Sequence, residues 1–180
     1  MGLSDEELMR RYARGDLSAF QGLFQRYEKR IYNFFMRRLG AADRAADLFQ
    51  ELFLRLHRNR HRFDSQRPFS VWLFTIANNL VRDEFRTRPG IDLEGIETED
   101  VLPPSKWATP EESAAGAEIG QRVARAIQLL SDAQKEVFLL ARFEGLRHAE
   151  IAEVTGRSEV AVRQLLYRAL QNLRRSLGDL

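Results

Sequence analysis

Residues 147–177, RHAEIAEVTGRSEVAVRQLLYRALQNLRRSL, decide how this chain is read. From Arg147 to Val154 the side chains of Ala149, Ile151, Ala152 and Val154 suit a short, closely packing helix. Gly156 supplies a turn, and Ser158 caps a longer helix that runs to about Leu177. Two helices across a short glycine-bearing turn predict a helix-turn-helix. The second helix is expected to bury Val162, Leu166, Ala169, Leu170 and Leu173. Its other surface shows Glu159, Arg163, Gln164, Tyr167, Arg168, Arg174 and Arg175. Such a face fits the DNA major groove, where the N-terminal half of the helix reads base edges. It also suits an ordinary helical hairpin with a solvated basic face, and this stretch alone leaves both readings open.

Working upstream, Ser131 with Gln134 offers a capping box for a helix carrying Val137, Phe138 and Leu140. Before it, Thr109-Pro110-Glu111-Glu112 reads as a helix start, and Ile119, Val123, Ile127 and Leu130 continue helical spacing. Leu17–Leu39 predicts one amphipathic helix, with Phe20, Leu23, Phe24, Tyr27, Ile31 and Phe34 on one face and Gly40 as its stop. A second helix is expected over about Asp43–Arg60, with Phe49, Leu52, Phe53 and Leu56 aligned and Asp47, Gln50 and Glu51 projecting elsewhere. Polar, irregular chain follows over His61–Pro68. A third helix is expected over Phe69–Arg86 on a stripe of Phe69, Trp72, Leu73, Ile76 and Leu80. Nothing alternates with period two, so the fold class is all-α.

Of 180 residues, 44% are hydrophobic and 30% charged, the profile of a folded globular protein. Cysteine is absent, which excludes disulfides, thiolate metal sites and cysteine nucleophiles. No run approaches the ~18 apolar residues of a membrane span, and Met1–Asp16 is acidic and polar where a signal peptide would be basic and then apolar. A cytoplasmic protein without membrane insertion is expected. The net charge of +2 hides an uneven distribution. Residues 1–88 hold 17 Lys and Arg against 11 Asp and Glu; residues 89–118 hold one against eight; residues 119–180 hold 10 against seven. Two basic blocks joined by an acidic strip suit two polyanion-binding surfaces and a connector that avoids the polyanion. Four of the five prolines lie in the strip, which reads as an extended linker. No Gly-rich phosphate loop, nucleotide motif or Ser-His-Asp set appears, so no enzyme is expected. His57 and His61 stand at i, i+4 with no third ligand, and no metal or other cofactor is expected.

The motifs resemble the RNA polymerase sigma factors of the extracytoplasmic-function group. Leu130-Ser131, Val137-Phe138-Leu139-Leu140, Glu144-Gly145-Leu146, Glu150-Ile151-Ala152 and Arg168-Ala169-Leu170 are similar to sigma region 4. Asp47–Leu56 is similar to region 2.2, and Pro68–Asp83 to regions 2.3 and 2.4. The resemblance implies two small helical domains, region 2 over residues 1–88 and region 4 over 118–180, joined by an extended acidic linker over 89–117.

It further implies binding to RNA polymerase core, through the clamp coiled coil and the flap, and to promoter DNA. Asp47, Gln50, Glu51 and Leu54 would meet the clamp. Arg60, Arg62, Arg67, Asn79, Arg82 and Arg86 would read and hold the −10 element as a splayed single strand. Trp72 could stack on a base, but its place on the apolar stripe favours core packing. Ser158, Glu159, Arg163, Gln164, Tyr167 and Arg168 would contact the −35 element, although Ala161 and Leu165 stand where the family commonly has Thr and Arg. The linker would thread toward the catalytic cleft, and an anti-sigma factor would hold the protein inactive. The alternative from residues alone is a stand-alone helix-turn-helix regulator with a sensing N-terminal block.

Overall fold

Leu17–Leu39 forms the longest helix among the described residues, and its ends are set by local chemistry. Asp16 Oδ1 accepts from the backbone N–H of Ser18 at 2.9 Å and of Ala19 at 3.2 Å, and Gly40 closes the helix in the left-handed region at φ 69°. In chain order the computed structural model has α1 (Asp5–Ala13), α2 (Leu17–Leu39), α3 (Ala42–Asn59), a single 3-10 turn at Arg60–Arg62, and α4 (Phe69–Thr87). After the acidic strip come α5 (Ala114–Gln128), α6 (Asp132–Arg142), α7 (His148–Thr155) and α8 (Glu159–Leu177). The structure describes residues 2–87 and 114–178, with side chains from residue 120 onward in the second block. The expected linker path and the Thr109-Pro110 helix start lie outside the described residues.

All the described elements are helical, as the aperiodic alternation implied. Helix α1 was not foreseen. Ser4 caps it by accepting from Glu7 N–H at 3.2 Å, and it buries Leu8, Met9 and Tyr12. It also stitches the first four helices together. Tyr27 donates its hydroxyl to Asp5 Oδ2 at 2.5 Å, and Glu6 Oε1 accepts from Phe69 N–H at 3.0 Å, capping the start of α4 from outside.

Packed against α1, helices α2, α3 and α4 enclose Leu23, Ile31, Phe34, Leu52, Leu56, Phe69, Leu73 and Phe74. Phe20, Phe24, Phe49 and Phe53 form a half-buried aromatic group between α2 and α3, with centroids 4.9–6.1 Å apart. Trp72 joins the core side of its two readings, packing on Phe63 at 5.3 Å and on Phe69 at 6.1 Å. The second unit packs α6, α7 and α8 around Val137, Leu139, Leu140, Ile151, Val154, Val162 and Ala169.

Two expectations about buried faces are corrected. Leu170 is 52% exposed, because α8 turns only Val162, Ala169 and Leu173 fully inward. Helix α4 buries more than its expected stripe: Val71, Phe74, Ala77, Asn78 and Val81 are covered too. The reason is that α4 is packed on two sides, by α2 and α3 on one and by α7 on the other.

Candidate nucleic-acid and polymerase interface

The helix-turn-helix is built by α7, the turn at Gly156 and α8. Helix α7 starts where Arg147 N–H donates to Glu150 Oε2 at 2.7 Å and its guanidinium reaches Glu150 Oε1 at 2.8 Å, a pairing that holds the Glu150 carboxyl below its usual range. It ends at Gly156, whose φ of 67° favours glycine. Ser158 Oγ then accepts from Ala161 N–H at 3.2 Å, so this hydroxyl caps α8. Glu159, Arg163, Gln164, Tyr167 and Arg168 all lie exposed on the outer face of α8, Tyr167 at 65%. Neither Arg163 nor Arg168 pairs with a carboxylate among the described residues. An unneutralised arginine on an exposed helix can donate two parallel bonds to guanine or hold a phosphate.

On α3, Asp47 and Gln50 are exposed and Leu54 is 50% exposed, so the expected clamp-facing surface projects away from the core. Glu51 belongs to the same side, but its carboxylate accepts from Arg55 Nε at 2.8 Å. Acids, an amide and a bare leucine beside the half-buried Phe49 and Phe53 suit a helical partner with basic and apolar side chains.

The expected −10 residues are dispersed. Arg62 and Asn79 are exposed. Arg60 turns back to donate to the His57 carbonyl at 2.8 Å, while His57 Nδ1 sits 2.6 Å from the Tyr12 hydroxyl. Arg86 pairs with Asp83 at 3.0 Å. Arg82 and Arg67 face the second unit: Arg82 Nη2 donates to the Thr155 carbonyl at 2.6 Å and lies 3.1 Å from Glu136 Oε1, and Arg67 pairs with Glu153.

These two contacts belong to a polar seam between the units that the sequence did not reveal. Arg30 Nε donates to Glu144 Oε2 at 3.1 Å, and its Nη2 to the Glu144 carbonyl at 3.2 Å. Arg37 lies 4.0 Å over the Phe143 ring. Buried Arg38 donates to the Asp132 carbonyl at 3.1 Å. Glu136 is buried between Arg82 and Arg157, each at 3.1 Å. Lys135 is fully buried, its Nζ donating to Gln128 Oε1 at 2.8 Å while Gln128 Nε2 donates to the Arg37 carbonyl at 2.9 Å. Burial, with the nearby Arg38 charge, lowers the Lys135 ammonium to about 8. Burial likewise raises the Glu144 carboxyl, against the pull of Arg30.

Among the described residues no helix is long and apolar enough to cross a membrane. Residues 23–89 match the Sigma-70 region 2 family and residues 120–173 the Sigma-70 region 4 family. The chain is 35% identical over 175 residues to the ECF RNA polymerase sigma factor BldN of Streptomyces coelicolor, covering 96% of this chain and 66% of that protein. It is 32% identical to the RNA polymerase sigma factor CarQ of Myxococcus xanthus, covering 96% and 97%. It is 29% identical to the ECF sigma factor SigW of Bacillus subtilis over the full length of both. Among solved structures, CnrH in complex with the cytosolic domain of CnrY superposes with a TM-score of 0.71 at 28% identity, covering 96% of each chain. RpoE bound to the anti-sigma factor NepR, from Bartonella quintana, shares the fold at a TM-score of 0.70 and 20% identity, covering 88% of this chain and 96% of that one. With regions 2 and 4 both matched in order and a full-length relative above 30% identity, the chain belongs to the ECF group of RNA polymerase sigma factors, the initiation subunits that direct the polymerase to promoters.

Proposed function

We propose that this sigma factor works through three surfaces on its two helical units. The outward side of α3, with Asp47, Gln50, Glu51 and Leu54, docks on the clamp coiled coil of the polymerase, and the region 4 unit reaches the flap. Arg60, Arg62, Arg67, Asn79, Arg82 and Arg86 serve the −10 element: Asn79 offers an amide that both donates to and accepts from a base, and the arginines hold phosphates. The outer face of α8 serves the −35 element. There Arg163, Gln164, Tyr167 and Arg168 make base and phosphate contacts, Glu159 stands at the helix start, and Ser158 fixes the helix N-terminus that faces the backbone.

The observation that carries this reading is the α8 face. Two exposed arginines that form no ion pair among the described residues flank Gln164 and Tyr167 on the second helix of a helix-turn-helix. Control by an anti-sigma factor is part of the proposal, supported by the likeness to CnrH, solved with the cytosolic domain of CnrY. We place the protein in the cytoplasm, at the nucleoid when active. Run-off transcription with purified core polymerase on host genomic fragments tests the whole. Discrete transcripts that need this protein, with start sites sharing two spaced elements, are expected. Specific DNA binding that never requires core would instead identify a stand-alone regulator.

A further inference from the structure

The outer face of α8 is apolar at its centre, where a helix that met only water would be polar. Val160, the second residue of α8, is 54% exposed. At about 100° per residue it stands about 200° round the helix from the fully buried Val162, and so points away from the core. Arg163 and Gln164, one turn further on, share that outer face and are exposed. Gln164 makes no side-chain hydrogen bond among the described residues, so its carboxamide is open to a partner. Local folding gives no reason for valine at position 160. More than half of its surface is open, and in an exposed first turn a β-branched side chain forms helix less well than alanine or glutamate.

Its chemistry matches one group in the major groove. Thymine alone among the four bases shows an apolar substituent there, its 5-methyl group, which an apolar side chain can cover; a carboxamide pairs by two hydrogen bonds with adenine N6 and N7. We propose that Val160 is a specificity-determining residue that covers the 5-methyl group of a thymine in the −35 element, within about two base pairs of an adenine read by Gln164. The register follows from the helix, because four residues rise about 6 Å along α8 against about 3.4 Å per base pair. Arg163 and Arg168 beside them supply the charge that seats the helix in the groove, and valine and glutamine select the bases. This deepens the assignment of the α8 face in the proposed function and rests on it.

Deoxyuridine is the probe, because it lacks only the methyl group and keeps every hydrogen-bonding atom of thymine. Holoenzyme assembled with core polymerase is titrated against promoter fragments mapped by run-off transcription. Each thymine of the −35 element, on either strand, is replaced in turn by deoxyuridine. One replacement is expected to weaken binding by the parent about four-fold, the worth of burying one methyl-sized group. Val160→Ala, an exposed change to a better helix former, is expected to bind the unmodified promoter about four-fold more weakly and to bind both fragments equally. Both proteins meet the same DNA, so any effect of uracil on the duplex itself cancels between them. Gln164→Ala is expected to keep the deoxyuridine response and to lose the preference for an adenine close to that thymine. A −35 element with no methyl-sensitive thymine, or a response that Val160→Ala retains in full, overturns the role of Val160. A sensitive thymine far from the adenine read by Gln164 overturns the register. Arg163→Ala separates these failures from that of the reading beneath. If it weakens −35 binding while Val160→Ala keeps the deoxyuridine response, Val160 alone is removed from the base contacts. If Arg163→Ala, Arg168→Ala and Val160→Ala all bind the unmodified promoter as the parent does, the α8 face does not read the −35 element and both assignments fall.

Discussion

Replacing Lys135 by Met makes the chain's stability respond to pH in a way that no surface substitution would. The Lys135 side chain is fully buried in α6, with Gln128 Oε1 as its hydrogen-bond acceptor and Arg38 adding repulsion. Its ammonium falls from 10.5 to about 8 in the folded protein. At about 1.4 kcal/mol per pH unit, holding the charged form in this site costs about 3 kcal/mol relative to the unfolded chain. Below pH 8 both states are protonated and the folded state bears the full cost. Between pH 8 and 10.5 the folded state releases its proton first, so the unfolded state binds more protons and stability rises with pH. Methionine has a similar unbranched shape and no charge. The variant therefore escapes the cost but leaves Gln128 Oε1 without its donor, a loss of about 1–3 kcal/mol.

The two effects nearly offset at pH 7, so the variant should be of equal or slightly greater stability there. The diagnostic quantity is the difference between the two proteins across pH. It should move by about 3 kcal/mol in favour of the wild type from pH 7 to pH 10.5. Urea unfolding followed by circular dichroism at several pH values in that interval reads it, and the other titrating groups cancel between the two proteins. Parallel pH profiles would refute the reasoning, because they would mean that Lys135 meets water or an anion in the folded state.

Three further changes probe the turn and two of the three proposed contact surfaces. Gly156→Ala places a Cβ in open space, so only the left-handed backbone at φ 67° resists it; a loss of about 1 kcal/mol is expected in thermal unfolding, and Gly156→Asn should recover most of it. Asp47→Arg combined with Glu51→Arg should weaken core-polymerase binding at least about ten-fold, since both charges reverse on an electrostatically complementary surface, while removal of the half-buried Glu51–Arg55 pair costs at most about 1 kcal/mol of stability; undiminished core affinity in a fluorescence titration would remove α3 from the docking surface. Arg163→Ala and Arg168→Ala should each weaken −35 binding by about 1–3 kcal/mol if they contact base edges, and footprints of equal strength at matched salt would exclude them from the interface.

Much of the fold was legible because several helices carry their own punctuation. The span of α2 follows from its apolar stripe and its stop from Gly40, with the cap at Asp16 present but unread, and the span of α8 follows from Ser158 and the periodic residues up to Leu177. The same signals were present for α1, where Ser4 and Glu7 flank a cap and Leu8, Met9 and Tyr12 share one face, but the acidic composition of the segment hid them. The exposed surfaces of α3 and α8 were equally readable, since a polar residue off the apolar stripe of an amphipathic helix is exposed unless something else covers it.

That last condition is where reading from sequence stopped. Arg30 and Arg82 lie off the expected stripes of their helices, Arg38 continues the stripe of α2 four residues past Phe34, and the acceptors of all three lie at Glu144, Asp132, Thr155 and Glu136 in a different unit. No local pattern links residues so far apart, and a polar partner leaves no periodic trace. Helix α4 does leave one. Val71, Phe74, Ala77, Asn78 and Val81 recur at helical spacing beside the stripe of Phe69, Leu73 and Leu80. A helix apolar on two sides has to be covered on both, so α4 requires a second neighbour that region 2 alone does not supply. The one amide in that row gives the contact its character. Asn78 is buried there with its Oδ1 unpartnered and its Nδ2 3.5 Å from the Val154 carbonyl, so the contact of α4 with α7 carries a desolvation cost that a hydrocarbon at position 78 would not.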